Sequence, residues 1–215
     1  MELPIVNRKA AGQALAQALH AYRDRDDVIV LGLPRGGVPV AMEVAQALAA
    51  PLDLMLVRKL GTPGHRELAM GAIASGSAEV INEEVVRSLG ITPEAIERVT
   101  ITEREELKRR EQAYRGQRPW PSLAHQCVIL VDDGLATGAT MRAAVAAVRT
   151  QLPARIVVAV PVAPPDTIGL LRREADEVVC CAEPEPFNAI GQWYVDFSQV
   201  SDNEVREMLG KAWNE

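Results

Sequence analysis

Two adjacent carboxylates, Asp132 and Asp133, close an aliphatic run, Cys127 to Val131 (CVILV), and lead into a segment of small and hydroxyl residues, Ala136, Thr137, Gly138, Ala139 and Thr140. Successive backbone N–H groups over these five positions, at the positive end of a following helix, can form a nest for an anion. The hydroxyls of Thr137 and Thr140 add donors, and Gly138 lets the backbone come close to a phosphate. Carboxylates beside such a cradle repel a bare anion. They suit a ligand that also presents hydroxyls or a cation, as a ribose phosphate with Mg2+ does. A plain surface turn would also use Asp, Gly and Thr; here strand, carboxylate pair, Thr-Gly-x-Thr and helix follow one another without a gap. A second loop, Leu33-Pro34-Arg35-Gly36-Gly37, offers a guanidinium able to grip a phosphate with two bonds and glycines that expose backbone donors.

The elements that must position these residues alternate between strand and helix signals, the pattern of a parallel sheet covered by helices. Asn7 caps a helix carrying Ala11, Leu15, Ala18 and Leu19 on one face. Val28 to Leu33 is a continuous β-branched and aliphatic run, as expected of a strand buried on both sides. Val38 to Ala49 reads as a helix and Leu52 to Val57 as a second strand. Residues 59 to 67 read as a Gly/Pro-containing loop, and Ala69 to Ile81 as a hairpin turning at Ser75-Gly76-Ser77. Thr92 and Pro93 open a long charged helix reaching about Tyr114. Further strands are expected at Cys127 to Val131, Ile156 to Val162 and around Val178 to Cys180, with a helix over Thr140 to Leu152. Ser201 and Glu204 make a capping box for a terminal helix. Aromatic residues crowd the region from Pro184 to Phe197. The chain therefore divides into a core at 1–183, with an N-terminal helix and a helical insertion, and a small C-terminal lobe at 184–215.

The composition bounds the partners. The 215 residues carry a formal net charge of -6, with no basic run to displace counterions from a phosphate backbone, which argues against nucleic acid. No apolar stretch reaches the ~18 residues of a membrane span. The N-terminus has no basic segment followed by an apolar one, so no secretory signal is expected. Three cysteines, two of them adjacent (Cys180 and Cys181), fit a reducing compartment better than a disulfide framework. The expectation is a cytoplasmic protein.

The segment Val128 to Met141 closely resembles the binding signature for phosphoribosyl pyrophosphate (PRPP) of the type I phosphoribosyltransferases, and the resemblance spans roughly residues 25 to 185. Within it, the form Asp-Asp-Gly-x-Ala-Thr-Gly-Ala-Thr looks most like a bacterial group of such enzymes with no settled substrate. The resemblance implies an α/β fold with a parallel PRPP-binding sheet, helices on its faces, a flexible-loop hairpin and a C-terminal hood. It implies that Asp132 and Asp133 hold the ribose 2′- and 3′-hydroxyls, touching Mg2+ only indirectly, and that Ala136, Thr137, Gly138, Ala139 and Thr140 cradle the 5′-phosphate. Arg35, Gly36 and Gly37 occupy the place of the pyrophosphate loop, where the family often has a non-proline cis peptide; Arg35–Gly36 is the bond expected to adopt it. Arg58 and Lys59, with His65, resemble a mobile catalytic loop that closes over PRPP and neutralises leaving pyrophosphate. Phe187, Trp193, Tyr194 and Phe197 under the hood would stack on a base whose edge Asn188 or Asp196 reads.

By that resemblance, the chain transfers a phosphoribosyl group from PRPP to a nitrogenous base or similar acceptor with Mg2+, releasing pyrophosphate, and forms a homodimer. A PRPP-binding sensor with little chemistry is the alternative. Two positions depart from the family. Ala136 stands where the 6-oxopurine enzymes typically carry an Asp, which weakens a hypoxanthine, guanine or xanthine assignment. Ala139 replaces the commoner Gly. No residue stands out as the base for the incoming nucleophile.

Overall fold

A computed structural model describes residues 2–214, without the side chains of residues 66 and 67; Met1 and Glu215 lie outside it. Three aliphatic runs become strands buried along almost their whole length: β1 (Val28–Gly32), β6 (Cys127–Val131) and β7 (Arg155–Val162). With β2 (Leu52–Leu54) and β8 (Glu177–Ala182) they form a parallel sheet in the order β2-β1-β6-β7-β8. Successive side chains alternate between the two faces of the sheet, as pleated strands require, and both faces are covered. Val28, Val30, Cys127 and Ile129 point into one apolar layer with helices α1 (Arg8–Ala18), α2 (Gly37–Leu48) and α7 (Asp202–Asn214). Ile29, Leu31, Val128 and Leu130 point into the other, under α5 (Ala139–Arg149) and α6 (Pro165–Leu171).

The sheet order places the site. From β1 the chain crosses outward to β2; from β6 it crosses the other way, to β7 and β8. The winding reverses between β1 and β6, and ligands of open α/β sheets bind at such a reversal, beyond the carboxyl ends of the strands. Gly32 pairs in register with Val131, so the loops after β1 and β6 leave the sheet side by side. These are the two loops singled out by their chemistry.

Between β2 and β6 lies an insertion. It holds an antiparallel sheet, β3 (Val57–Thr62), β4 (His65–Ala74) and β5 (Ala78–Ile81), followed by α3 (Glu83–Ser88) and α4 (Pro93–Arg115). Leu56, Leu60, Met70, Ile73 and Leu107 give it a small core of its own. Caps at the helix starts follow the sequence: Asn7 accepts from the Ala10 N–H at 2.9 Å, and Thr92 from that of Ala95 at 3.3 Å. Ser201 Oγ accepts from the Glu204 N–H at 3.2 Å while Glu204 accepts from the Ser201 N–H at 2.8 Å, a complete capping box.

Two expectations fail in this insertion. The second strand ends at Leu54, because Leu56 is drawn out of the parallel sheet by a pair of bonds to Ser75: its N–H donates to Ser75 Oγ at 3.2 Å and its carbonyl accepts from the Ser75 N–H at 3.0 Å. Residues 59–67 form strand rather than loop. Their glycines and proline are used up by the turn at Pro63-Gly64, where Gly64 has φ 78°, and by register shifts on both sides of Gly61. Local Gly/Pro density cannot distinguish a bulged hairpin from an open loop.

Candidate functional site

Asp132 and Asp133 emerge from β6 in poorly solvated positions. The side chain of Asp133 is only 10% exposed. Asp132 Oδ1 accepts the Asp133 N–H at 2.9 Å, which fixes the two carboxylates relative to each other. Burial and the neighbouring Asp133 charge push the Asp132 carboxyl well above the usual carboxylate range. Burial raises Asp133 as well, with the Arg8 guanidinium opposing it.

Arg8, at the first turn of α1, is a site residue that sequence reasoning missed. Its Nε donates to Asp133 Oδ2 at 2.7 Å, its Nη1 donates to the Ser198 carbonyl at 2.7 Å, and the guanidinium lies 4.1 Å from the Phe197 ring centroid. Tyr194 completes the clamp: its hydroxyl donates to the Asp133 carbonyl at 2.6 Å. The C-terminal lobe is thus wired to the carboxylate pair through Arg8 and Tyr194. It is also stitched to the N-terminal segment, since the Ile5 N–H donates to the Trp193 carbonyl at 2.7 Å and the Ile5 carbonyl accepts from the Val195 N–H at 2.8 Å. No sequence signal points to Arg8, since its contact with Asp133 joins residues far apart in the chain; Tyr194, expected among the stacking aromatics, is instead buried with its hydroxyl on the Asp133 carbonyl.

The 136–140 segment has the geometry of a nest. Gly138 adopts the left-handed conformation (φ 69°) immediately before α5 begins at Ala139. A side chain there would be strained and would meet Thr167 Cγ2 at 2.6 Å. Thr167 donates to the Ala136 carbonyl at 2.6 Å and holds the loop from below. Ala136, Thr137, Ala139 and Thr140 are exposed, and the N–H groups of Ala136, Thr137, Gly138 and Thr140 take no backbone acceptor among the described residues.

The loop after β1 packs directly on the carboxylates. A Cβ at Gly36 would lie 2.6 Å from Asp133 Cγ, and one at Gly37 would lie 2.7 Å from the Val131 carbonyl oxygen, so only glycine fits either position without moving Asp133 or the end of β6. The non-proline cis peptide is Pro34–Arg35, one bond before the expected Arg35–Gly36. Arg35 itself is exposed.

The remaining expected residues lie further out. Arg58 and Lys59 belong to β3, and Arg58 Nε donates to Glu103 Oε2 of α4 at 2.7 Å. Both line a cavity of about 710 Å3 between the β3–β4 hairpin and α4, together with Thr62, whose buried hydroxyl has no partner among the described residues. His65 is exposed at the start of β4. In the C-terminal lobe Phe187 and Trp193 are half-buried with ring centroids 5.9 Å apart, and Asn188 is exposed. Trp193 Nε1 is buried without an acceptor among the described residues. Ile190 rests against Gly134, where a Cβ would meet its Cγ2 at 2.7 Å, so the lobe caps the loop that follows the carboxylates. Burial pushes the Cys180 thiol up to about 12, which leaves it inert as a nucleophile.

Comparison with known proteins shows the family of the chain. A family model described as a phosphoribosyl transferase domain matches residues 3–198. Two Mycobacterium tuberculosis proteins, one from each of two strains and both provisionally named phosphoribosyl transferases, are 46% identical over 206 residues. Each match covers 96% of this chain but only 46% of the relative, so the chain spans just under half the length of these proteins. The crystal structure of TT1426 from Thermus thermophilus superposes with a TM-score of 0.88 at 42% identity, covering 98% of this chain and 99% of that one.

Proposed function

Because the chain belongs to the phosphoribosyl transferase family, we propose that it moves a phosphoribosyl group from PRPP to a nitrogenous base or similar acceptor, releasing pyrophosphate. The observation that carries this reading is the meeting, at the reversal of the sheet, of the Asp132–Asp133 pair, the 136–140 nest and the Arg35-Gly36-Gly37 loop.

Each part has a task under this reading. The nest holds the 5′-phosphate, and Asp132 and Asp133 accept from the ribose 2′- and 3′-hydroxyls. An acceptor nitrogen then forms a bond to the anomeric carbon as the bond from that carbon to the diphosphate oxygen breaks, the electron pair leaving with the diphosphate. Positive charge grows on the ribose ring at the transition state, and the fixed carboxylates lie on the side that stabilises it. Arg35 faces the departing anion. Mg2+ fits the donor set as an ion held mainly by the substrate's own oxygens, because two carboxylates committed to hydroxyls leave room for water-mediated contact and no more. It would supply charge neutralisation of the diphosphate. Under the C-terminal lobe, the unpartnered Trp193 Nε1 is a donor suited to a heterocycle, with Phe187 beside it and Asn188 available to its edge.

Calorimetric titration with Mg-PRPP tests the reading. Saturable one-to-one binding, followed by pyrophosphate release with one member of an acceptor panel, is the expected result. Binding without release from any acceptor would turn the reading into that of a sensor, and no binding would remove both. The same reading includes a cytoplasmic homodimer joined through residues 69–114, a region flanked or populated by exposed Leu68, Leu89 and Ile101. Sedimentation equilibrium returning the monomer mass would remove that part.

A further inference from the structure

The expected partners of the departing diphosphate on the β3 segment line a different cavity from Arg35. Arg58 is paired with Glu103, and both Arg58 and Lys59 line the cavity on the hairpin side of α4. The cleft that Arg35 does line, about 360 Å3 in volume, is also lined by two other cations, Arg109 and Arg110 of α4. Leu56 and Ala113 also line it, as does Tyr114. We infer that Arg109 and Arg110 form, with Arg35, the binding site for the diphosphate group, so that the inserted helix supplies cations to the reaction centre. The inference rests on the phosphoribosyl-transfer reading and goes beyond it by assigning the diphosphate to residues of the insertion.

Three observations support it. First, α4 is anchored to α7 and to the parallel sheet next to the cleft. Tyr114 of α4 donates to Asp202 Oδ1 of α7 at 2.6 Å, and Arg115, next in the chain, forms a buried ion pair with Asp53 of β2. Second, Arg110 and Arg35 both act on the Tyr114 hydroxyl: burial and Asp202 push it up to about 12, and these two guanidiniums oppose the rise. Third, both guanidiniums have donors to spare. Arg109 gives Nε and Nη2 to Glu106, and Arg110 gives only Nε, out of the five N–H donors each carries. Glu106 therefore orients the pair without exhausting it. Among the described residues Asp202 is the one carboxylate lining the cleft, and it is engaged by Tyr114. Arginine forks match phosphate oxygens two at a time, which makes a polyanion the fitting occupant. A cleft this size lies at the small end of ligand sites, in keeping with a diphosphate.

The test separates the two halves of PRPP. The full chain is titrated with inorganic pyrophosphate and, separately, with ribose 5-phosphate, as the native protein, as Arg109→Gln/Arg110→Gln and as Arg104→Gln. Glutamine keeps helix propensity at these exposed positions, so the variants should fold. Arg104 is on the same helix but pairs with Glu79. The expected result is a loss of pyrophosphate affinity of at least about tenfold in the double variant, with ribose 5-phosphate affinity unchanged and Arg104→Gln like the native protein. Unchanged pyrophosphate affinity in the double variant would overturn the inference, and so would an equal loss in Arg104→Gln, which would mark a general charge effect. Native protein that binds ribose 5-phosphate but not pyrophosphate would also overturn it while leaving the functional reading in place. Failure to bind ribose 5-phosphate would instead count against that reading.

Discussion

Replacing both carboxylates at the end of β6, Asp132→Asn together with Asp133→Asn, is expected to weaken PRPP binding by about 100-fold or more and to leave the protein folded. A hydrogen bond to a charged group contributes about 1.5–3 kcal/mol, and two carboxylates accepting ribose hydroxyls would supply about twice that. An amide keeps an acceptor oxygen in each place, so the lower end applies, and each 1.4 kcal/mol is about tenfold in affinity. Stability responds to opposing effects. Two neighbouring carboxylates that both titrate high because of burial are costly when ionised, and asparagine removes that repulsion. Against this, Arg8 loses its partner at Asp133. The single variant Asp132→Asn preserves the Arg8 pair and the bond to the Asp133 N–H, so its thermal midpoint should equal or exceed that of the native protein. Calorimetry and a melting curve on the same samples check both statements. A double variant that binds PRPP as well as the native protein would show that the carboxylates do not touch the ligand.

Arg115→Met should be the most damaging single substitution outside the site. The side chains of Arg115 and Asp53 are 5% and 4% exposed and pair with each other, while Arg115 Nη2 donates to the Pro119 carbonyl at 2.7 Å. The guanidinium also lies 5.1 Å from the Trp120 ring. Removing one partner of a buried pair strands the other charge and costs about 3–5 kcal/mol, or roughly 10 °C in a chain of this length. The pH dependence identifies the cause. Burial already raises the Asp53 carboxyl, even with Arg115 opposing it. A carboxyl raised in the folded state makes stability fall as pH climbs from the unfolded value, about 3.9, through the folded one; without Arg115 the folded value climbs further. The gap between variant and native melting temperatures should therefore be widest near neutrality and narrow on acidification. A gap that stays constant from pH 5 to pH 7 would point to lost packing on Trp120 instead. Asp53→Leu/Arg115→Met should recover most of the loss, since a buried pair can be replaced by apolar groups at little cost.

What the sequence made legible was local. The CVILV run, the carboxylates and the Thr-Gly-Ala-Thr turn form one continuous stretch, and the structure gives them as strand, site and helix in that order. The caps at Asn7, Thr92 and Ser201 were legible for the same reason: a cap is settled within four residues. The cis bond was displaced by one peptide, because Pro34-Arg35-Gly36 offers two neighbouring places and nothing local chooses between them. Arg8 was invisible, since its roles depend on Asp133 and Ser198, 125 and 190 positions away. The arginines of α4 read as ordinary charges on a solvated helix, and only the return of that helix toward Pro34 and Arg35 gives two of them a cleft to face.

The bridge between Ile5 and Tyr194, with Arg8 reaching Ser198, has a consequence for how the protein is made. Chains leave the ribosome N-terminus first and domains tend to fold as units while they emerge. β1, β2 and the insertion can begin to assemble early, but residues 5–8 have nothing to close against until residues 193–198 are out. The carboxylate pair is then the last part of the sheet to receive its clamp. Residues 5–8 therefore close on the site only after β6, β7, β8 and residues 193–198 have been made, so the clamp on Asp133 forms later than the strand that carries it.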